Sequence, residues 1–334
     1  MGFKRILVVC LCFLALFVRG QHPVITLLDS SKQTSIRGLS VVDDKIIWCS
    51  GSNGLVAKST DGGKKFVWTT VAGYEKRDFR DIEAFDKNNA IIMAVAEPAV
   101  ILKTSDGGVT WKKVFEDTTK GMFLDAMDFI NDKDGVVIGD PIDGKIFFAY
   151  TKDGGNSWTK KLTTTAEQGE AFFAASGSNI KMMGEGKGTM YVTGGTKSKL
   201  YSNDFPRGIT LPIVQRKETT GANSIAVAGN NAVIVGGDFS SDTATANNCV
   251  LVNLADGINF SIPKTPPNGY RSCVIFIDKN KLIACGTSGV DISDDGGISW
   301  KLISKESYHV VQKAKHGSSI FLAGSKGKIG VFKH

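Results

Sequence analysis

Three arginines and a histidine stand at corresponding places in this chain. Arg37, Arg80 and Arg271 each head a short apolar run, and His309 heads another, with Tyr270 and Tyr308 directly before the last two. A guanidinium presents a planar fork of donors that matches a carboxylate or phosphate, so arginines brought together would form an anion-binding face. Asp125 and Glu170 interrupt runs that are otherwise apolar, and a converging carboxyl pair could serve acid–base catalysis. Other acidic residues, Asp81 and Asp128, fall on comparable runs and are expected to pair with basic neighbours. Asp140, Asp143 and Asp238 lie near the ends of other runs, but no loop has EF-hand spacing, so no metal site is expected. Histidines are few. There is no H-E-x-x-H, no G-x-S-x-G and no G-x-G-x-x-G between a strand and a helix, so zinc, serine-hydrolase and dinucleotide chemistry find no foothold and no cofactor is expected.

What positions these residues is a repeat. TSDGGVTW (Thr104 to Trp111) recurs as TKDGGNSW (Thr151 to Trp158), SDDGGISW (Ser293 to Trp300) and STDGGKKF (Ser59 to Phe66). In each, an aspartate ahead of two glycines caps a tight turn, because its carboxylate accepts amides of the bend and glycine tolerates positive φ. Asp61, Asp106, Asp153 and Asp295 are therefore read as structural, and Trp111, Trp158 and Trp300 as packing residues. Each turn closes the last hairpin of a unit of four short strands recurring every 36 to 45 residues or so, which is the period of a propeller blade. Six units run to about residue 304. The last stretch supplies only three strands, while Val24 to Ser30 is a strand without a unit. The chain is thus predicted to be an all-β, seven-bladed β-propeller of four-stranded blades, with the N-terminal strand completing the last blade and covering edges that would otherwise lie open. Residues 21–334 would form this single domain, and the starts of the innermost strands would ring one mouth of the channel.

Residues 1–20 read differently. Lys4 and Arg5 precede an unbroken apolar run from Ile6 to Val18, and Val18 and Gly20 are small enough for a cleavage site. A cleaved signal peptide is expected, leaving no membrane span and placing the protein outside the cytoplasm, secreted or periplasmic. Its removal takes Lys4, Arg5 and Arg19 and lowers the formal charge from +7 to +4. The remaining basic residues are scattered among acidic ones, which argues against nucleic-acid binding. Cys49, Cys249, Cys273 and Cys285 are too few for a disulfide framework; Cys273 and Cys285 fall on consecutive strands of one unit, where a bond between them is open, and buried free thiols are expected before it. A monomer is expected.

The repeated Ser/Thr-x-Asp-x-Gly-x-x-aromatic turn is similar to the Asp-box (BNR repeat) of sialidases, sortilin-type propellers and the photosystem II stability/assembly factor family. With one turn per four-stranded unit, and with DFRDIEAFD, MFLDAMDF, GDPIDGK, GEAFFAASG and NGYRS, the chain most resembles that last family and its secreted bacterial relatives. The resemblance implies a non-catalytic propeller holding a protein segment or other partner at the channel mouth, through Arg37, Arg80, Arg271, His309, Tyr270 and Tyr308. The alternative is a glycan-directed enzyme of sialidase-like kind, with Asp125 and Glu170 as its carboxyls. If the protein is an enzyme, a glycoside hydrolase is expected before an oxidoreductase, since no residue pattern supports a redox cofactor. Carboxyls about 5 to 9 Å apart in the channel would favour the enzyme.

Overall fold

A computed structural model describes residues 23–184, 188–255 and 257–333; the expected signal peptide, with its cleavage point before Gln21, lies outside the described residues. The chain forms a seven-bladed propeller of antiparallel four-stranded blades, whose one helical turn among the described residues is the 3-10 segment Ser325–Gly327. No helix among the described residues is long and apolar enough to cross a membrane. The innermost strands are Ile36–Val41, Phe79–Ala84, Leu124–Phe129, Ile180–Met182, Thr220–Ala228, Cys273–Phe276 and Val310–Lys313. Alternating small and branched apolar residues on these and the second strands fill the gaps between blades, so the core is a belt of interblade clusters.

The ring closes as the strand count requires. Val24–Asp29 pairs with Ile329–Lys333 and becomes the outer strand of blade 7. Ile25 and Leu28 pack on the blade 7–blade 1 cluster, and Asp29 accepts the Trp68 indole N–H of blade 1 at 2.7 Å. The Asp-Gly-Gly turns repeat one hydrogen-bond pattern. In the second blade the Thr104 hydroxyl donates to Asp106 and accepts the Gly108 amide, while Asp106 Oδ1 accepts the amides of Val109 and Thr110. Gly108 has φ +87°, which favours glycine. The aromatic that ends each turn folds back over the second glycine of its own hairpin, and Trp300 donates its indole N–H to the Gly297 carbonyl at 2.9 Å, but the ring does more than close the turn. It reaches the preceding blade: Trp111 meets Trp48 edge-on at 6.4 Å, and Trp300 packs with Val233 of blade 5. Cys273 and Cys285 are direct cross-strand partners and remain buried free thiols.

Blade 4 departs from expectation. The run EAFFAASGSN reads as an innermost strand, but only Glu170–Ala171 is extended there, annexed through Gly194–Gly195 to blade 5; the innermost strand of blade 4 is Ile180–Met182. Residues 172–179 cross the channel instead. Ala174, Ala175, Ser176, Gly177 and Ser178 are small enough to lie where seven inner strands converge, and Gly177 turns at φ +65° with no room for a Cβ against Asp81.

Two outcomes follow. Deleting residues 23–31 should lower stability by on the order of 2 kcal/mol from Ile25 and Leu28 alone, and should promote self-association through the bared edge of Ile329–Lys333. A truncated protein that melts like the parent would refute the closure. Asp106 and Asp153 are held down at about 2, first by the Thr110 and Ser157 side chains and then by turn amides, against an ordinary 3.8. Carboxylates depressed in the fold stabilise it above the ordinary value and lose that contribution as pH falls toward the folded one. Acid unfolding should therefore steepen between about pH 4 and 2, and Asp106→Asn should reduce that pH dependence in a chemical-denaturation series.

A cationic and aromatic mouth over a plugged channel

One geometric device sets the side chains of the channel mouth. In blades 1, 2, 3 and 5 the pairing of the innermost strand skips one residue: Arg37, Arg80, Asp125 and Asn223. Each is the extra residue of a β-bulge, which re-aims a side chain out of the alternating pattern. In blades 6 and 7 the same place falls to Ser272 and His309, whose amides share a carbonyl with the pairing of the next residue, Cys285 and Ala323 respectively. Asn179, directly ahead of Ile180–Met182, is the blade 4 counterpart.

This ring corrects one expectation. Arg271 is not the counterpart of Arg37 and Arg80; Ser272 is. A one-residue offset sends a side chain to the other face of a strand, so Arg271 takes the place of Ile36, Phe79 and Tyr308, between blades. It is 0% exposed, pairs with buried Asp291, and donates further to the Tyr270 carbonyl at 2.7 Å and the Ser288 hydroxyl at 2.8 Å. Tyr308 sits likewise in the core between the last blade and its neighbours, with Lys328 over its ring. Neither faces the mouth.

The mouth is a cavity of about 420 Å³, and it does unite Arg37, Arg80, Tyr270 and His309. Its floor is the crossing segment. Arg37 donates to the Ala175 carbonyl at 3.3 Å, Phe172 donates its amide to Asp140 at 2.8 Å, and the Ser176 hydroxyl reaches the Ser272 carbonyl at 2.7 Å. Its walls are aromatic: Phe173 meets Phe239 edge-on at 5.7 Å, Phe239 meets Tyr270 at 6.3 Å, and the Arg80 guanidinium lies 5.7 Å over Phe123. Phe239 is 46% exposed on the rim. Sequence reasoning missed these phenylalanines and the crossing segment; the FF pair and the run of small residues after it were the available signal.

Electrostatically the mouth is positive. Burial, then the neighbouring Arg80 charge, lowers the Arg37 pKa. Burial, then Arg37, holds His309 down to about 4, so its ring is neutral near pH 7; Nδ1 lies 3.0 Å from the Ile36 carbonyl and donates to it, which leaves Nε2 an acceptor. Asp140 is raised by burial. The other anion nearby, Asp78, makes a 3.5 Å contact with Arg80 in a part-exposed pair.

The two candidate catalytic carboxyls are not brought together. Asp125 is 0% exposed beneath the crossing segment, facing the amides of Asp140 and Ala174 without reaching hydrogen-bond geometry, and burial followed by the Asp140 charge raises it well above the carboxylate range. Glu170 lies in a different environment: it accepts the Tyr201 and Thr193 hydroxyls at 2.8 Å, with Lys199 at 3.8 Å. Asp81 accepts the amides of Ile82 and Met127, and Asp128 pairs with Lys181 at 2.9 Å in a second cavity on the far side of the crossing segment. Asp238 accepts the Ser240 amide and hydroxyl and contacts Lys217. No group of three potential metal ligands occurs among the described residues.

Fold and mouth together define an all-β seven-bladed propeller with a blocked channel and a cationic, aromatic recess at one mouth. Its fold is similar to that of YCF48 propellers, and residues 26–120 match the family model of the photosynthesis system II assembly factor YCF48. The whole architecture is similar to "YCF48 bound to D1 peptide" (TM-score 0.69, 14% identity, 95% of this chain and 96% of that one). It is also similar to YCF48 from Cyanidioschyzon merolae (0.63, 15%, 92% and 98%). The Pan2 WD40 domain of Neurospora crassa matches as well (0.58, 14%, 90% and 89%). At these identities the structural likeness is one of fold. No curated protein matches the chain.

The corrected positions separate two kinds of arginine. Arg271→Ala should cost about 3 to 5 kcal/mol by stranding Asp291 in the core, whereas Arg80→Ala, losing a part-exposed pair with Asp78 and the contact over Phe123, should cost about 1 kcal/mol. Urea titrations of the two variants test this, and equal losses would reject the distinction.

Proposed function

We propose that this protein is a non-catalytic, assembly-factor-like propeller, exported from the cytoplasm as a monomer, that holds a protein segment at the mouth formed by Arg37 and Arg80. The observation that carries the reading is the recess itself. Two guanidiniums with few anionic partners stand over a floor and wall of Phe123, Phe172, Phe173, Phe239 and Tyr270. Such a surface suits an extended segment that carries a carboxylate beside an apolar side chain: the fork binds the charge, and the rings bury the rest. The blocked channel keeps the ligand at the surface and leaves no path through the ring. That a YCF48 propeller is known "bound to D1 peptide" is consistent with a peptide ligand on this architecture.

The glycan-directed alternative loses its carboxyl pair, since Asp125 is sealed under the floor and Glu170 is spent on Tyr201 and Thr193. Asp140 is the carboxyl that lines the recess.

The test is capture by the purified protein of peptides pairing a carboxylate with an apolar residue, against amidated and neutral controls. Arg37→Ala with Arg80→Ala should weaken capture about tenfold or more, at a stability cost no larger than about 1 to 3 kcal/mol for freeing the Ala175 carbonyl. Binding should also fall with rising salt. Turnover of a fluorogenic glycoside that Asp140→Asn abolishes would overturn the non-catalytic reading.

A further inference from the structure

The turn that fastens each blade also fills a gap. Phe66, Trp111, Trp158 and Trp300 each end an Asp-Gly-Gly turn, and each packs with a residue of the preceding blade: Phe321, Trp48, Ile91 and Val233 respectively. In two blades a lysine of the preceding third strand locks the turn in place. Lys58 donates to the Gly107 carbonyl at 2.6 Å and Lys103 to the Gly154 carbonyl at 2.7 Å.

Between blades 3 and 4 this arrangement is missing on both sides. The turn of blade 4 begins in the usual way, with the Asp204 amide on the Ser202 hydroxyl, but Phe205-Pro206 stands where the glycines belong and no tryptophan follows. Opposite, the register pairs Trp48 with Lys58, Ile91 with Lys103 and Val136 with Tyr150, so Tyr150 occupies the place of the locking lysine. What results is a slot of about 570 Å³. Phe148 and Tyr191 meet edge-on at 5.3 Å, Tyr150 stacks on Phe148 at 5.9 Å, and Asn203 and Pro206 line the blade 4 side. Lys161 is the one charged side chain among the described residues that line it.

We infer that this slot binds an aromatic side chain of a partner polypeptide, carried on an acidic turn. The chain itself fills the equivalent gap with an aromatic ring four times, so the shape and lining suit a ring presented from a tight turn. Aromatic walls stabilise a ring edge-on or offset, and Lys161 supplies the charge complementary to an aspartate near it. In an antiparallel blade the Asp-Gly-Gly turns lie on the face opposite the starts of the innermost strands. The slot is therefore remote from Arg37 and Arg80 and would engage a partner independently of them.

The probe is the peptide Thr104–Trp111, TSDGGVTW, with both ends blocked and a fluorinated tryptophan, followed by 19F NMR on the full-length mature protein. Saturable binding is expected. Tyr150→Lys, which installs the residue that blades 1 and 2 carry there, should weaken it about tenfold or more, as should Lys161→Glu. Arg37→Ala with Arg80→Ala should leave it unchanged, which separates this site from the channel mouth. Cooperative thermal melts confirm that the variants are folded. Absence of saturable binding, or binding that neither slot variant weakens, overturns the proposal. Equal affinity for blocked free tryptophan overturns the polypeptide assignment in favour of a small aromatic ligand.

Discussion

The backbone of residues 174–178 lies across the centre of the ring, and the arrangement of both ends of the channel follows from it. Peptide groups placed there are shut away from bulk water, so each needs a partner or costs on the order of 1 to 3 kcal/mol. The partners come from blades on every side. Arg37 of blade 1 takes the Ala175 carbonyl, Ser178 reaches Ser224 of blade 5, its carbonyl accepts the Ile225 amide, and Ser176 reaches blade 6. A segment tied to so many blades divides the channel into two separate cavities. The upper gains a floor of Phe172 to Ala175, and the lower keeps the Asp128–Lys181 pair. It also holds Arg37 in place from beneath, so that its fork is oriented before any ligand arrives.

Blade number, strand count and closure were legible in the sequence because turn chemistry is local. A serine or threonine, an aspartate and two glycines at fixed offsets dictate the bend wherever they occur, and the leftover strand at Val24 identifies its place by elimination. The placement of side chains around the channel was half legible. Arg37, Arg80 and His309 were assigned to one level because each stands at the start of a regular innermost strand, Arg37 and Arg80 as its second residue and His309 directly ahead of it. Arg271 was misassigned because the bulge adds one residue to the strand, and a bulge is a matter of backbone pairing that residue type does not reveal. Matching arginine to arginine set Arg271 against Arg37, whereas pairing sets Ser272 there. The crossing segment was unreadable for a related reason: EAFFAASGSN begins like the other innermost strands, and only its small residues betray that it leaves the sheet.

The same asymmetry appears wherever the repeat weakens. Blades 1, 2, 3 and 6 carry complete turns and are closely similar, and their interblade gaps are filled by the chain's own aromatics. Blade 4 gives up its glycines and its tryptophan, sends its upstream segment across the channel, and lends Glu170–Ala171 to the sheet of blade 5. Glu170, which looked like a catalytic carboxyl, is part of this rebuilding. With Tyr201, Thr193 and Lys199 it forms a buried polar cluster where regular strand pairing has been interrupted. Its break in the apolar pattern marked a structural junction.

Why the upper mouth should attract an anion follows from how its charges are balanced. Arg37 and Arg80 repel each other, and partial burial strips water from Arg37, so the pair is costly to hold without a counter-charge. Three groups could have supplied relief, and what they supply is slight. Burial disfavours the charged form of Asp125, Asp140 is raised and already accepts the Phe172 amide, and Asp78 meets Arg80 only at 3.5 Å in a part-exposed pair. His309 adds no third positive charge near pH 7, since burial and Arg37 keep its ring neutral; protonation toward pH 4 would make the repulsion worse and is a further source of acid lability. A bound carboxylate would stabilise both guanidiniums at once. The aromatic walls lower the local dielectric, which strengthens that contact and favours a ligand whose charge sits next to apolar surface over a bare inorganic anion.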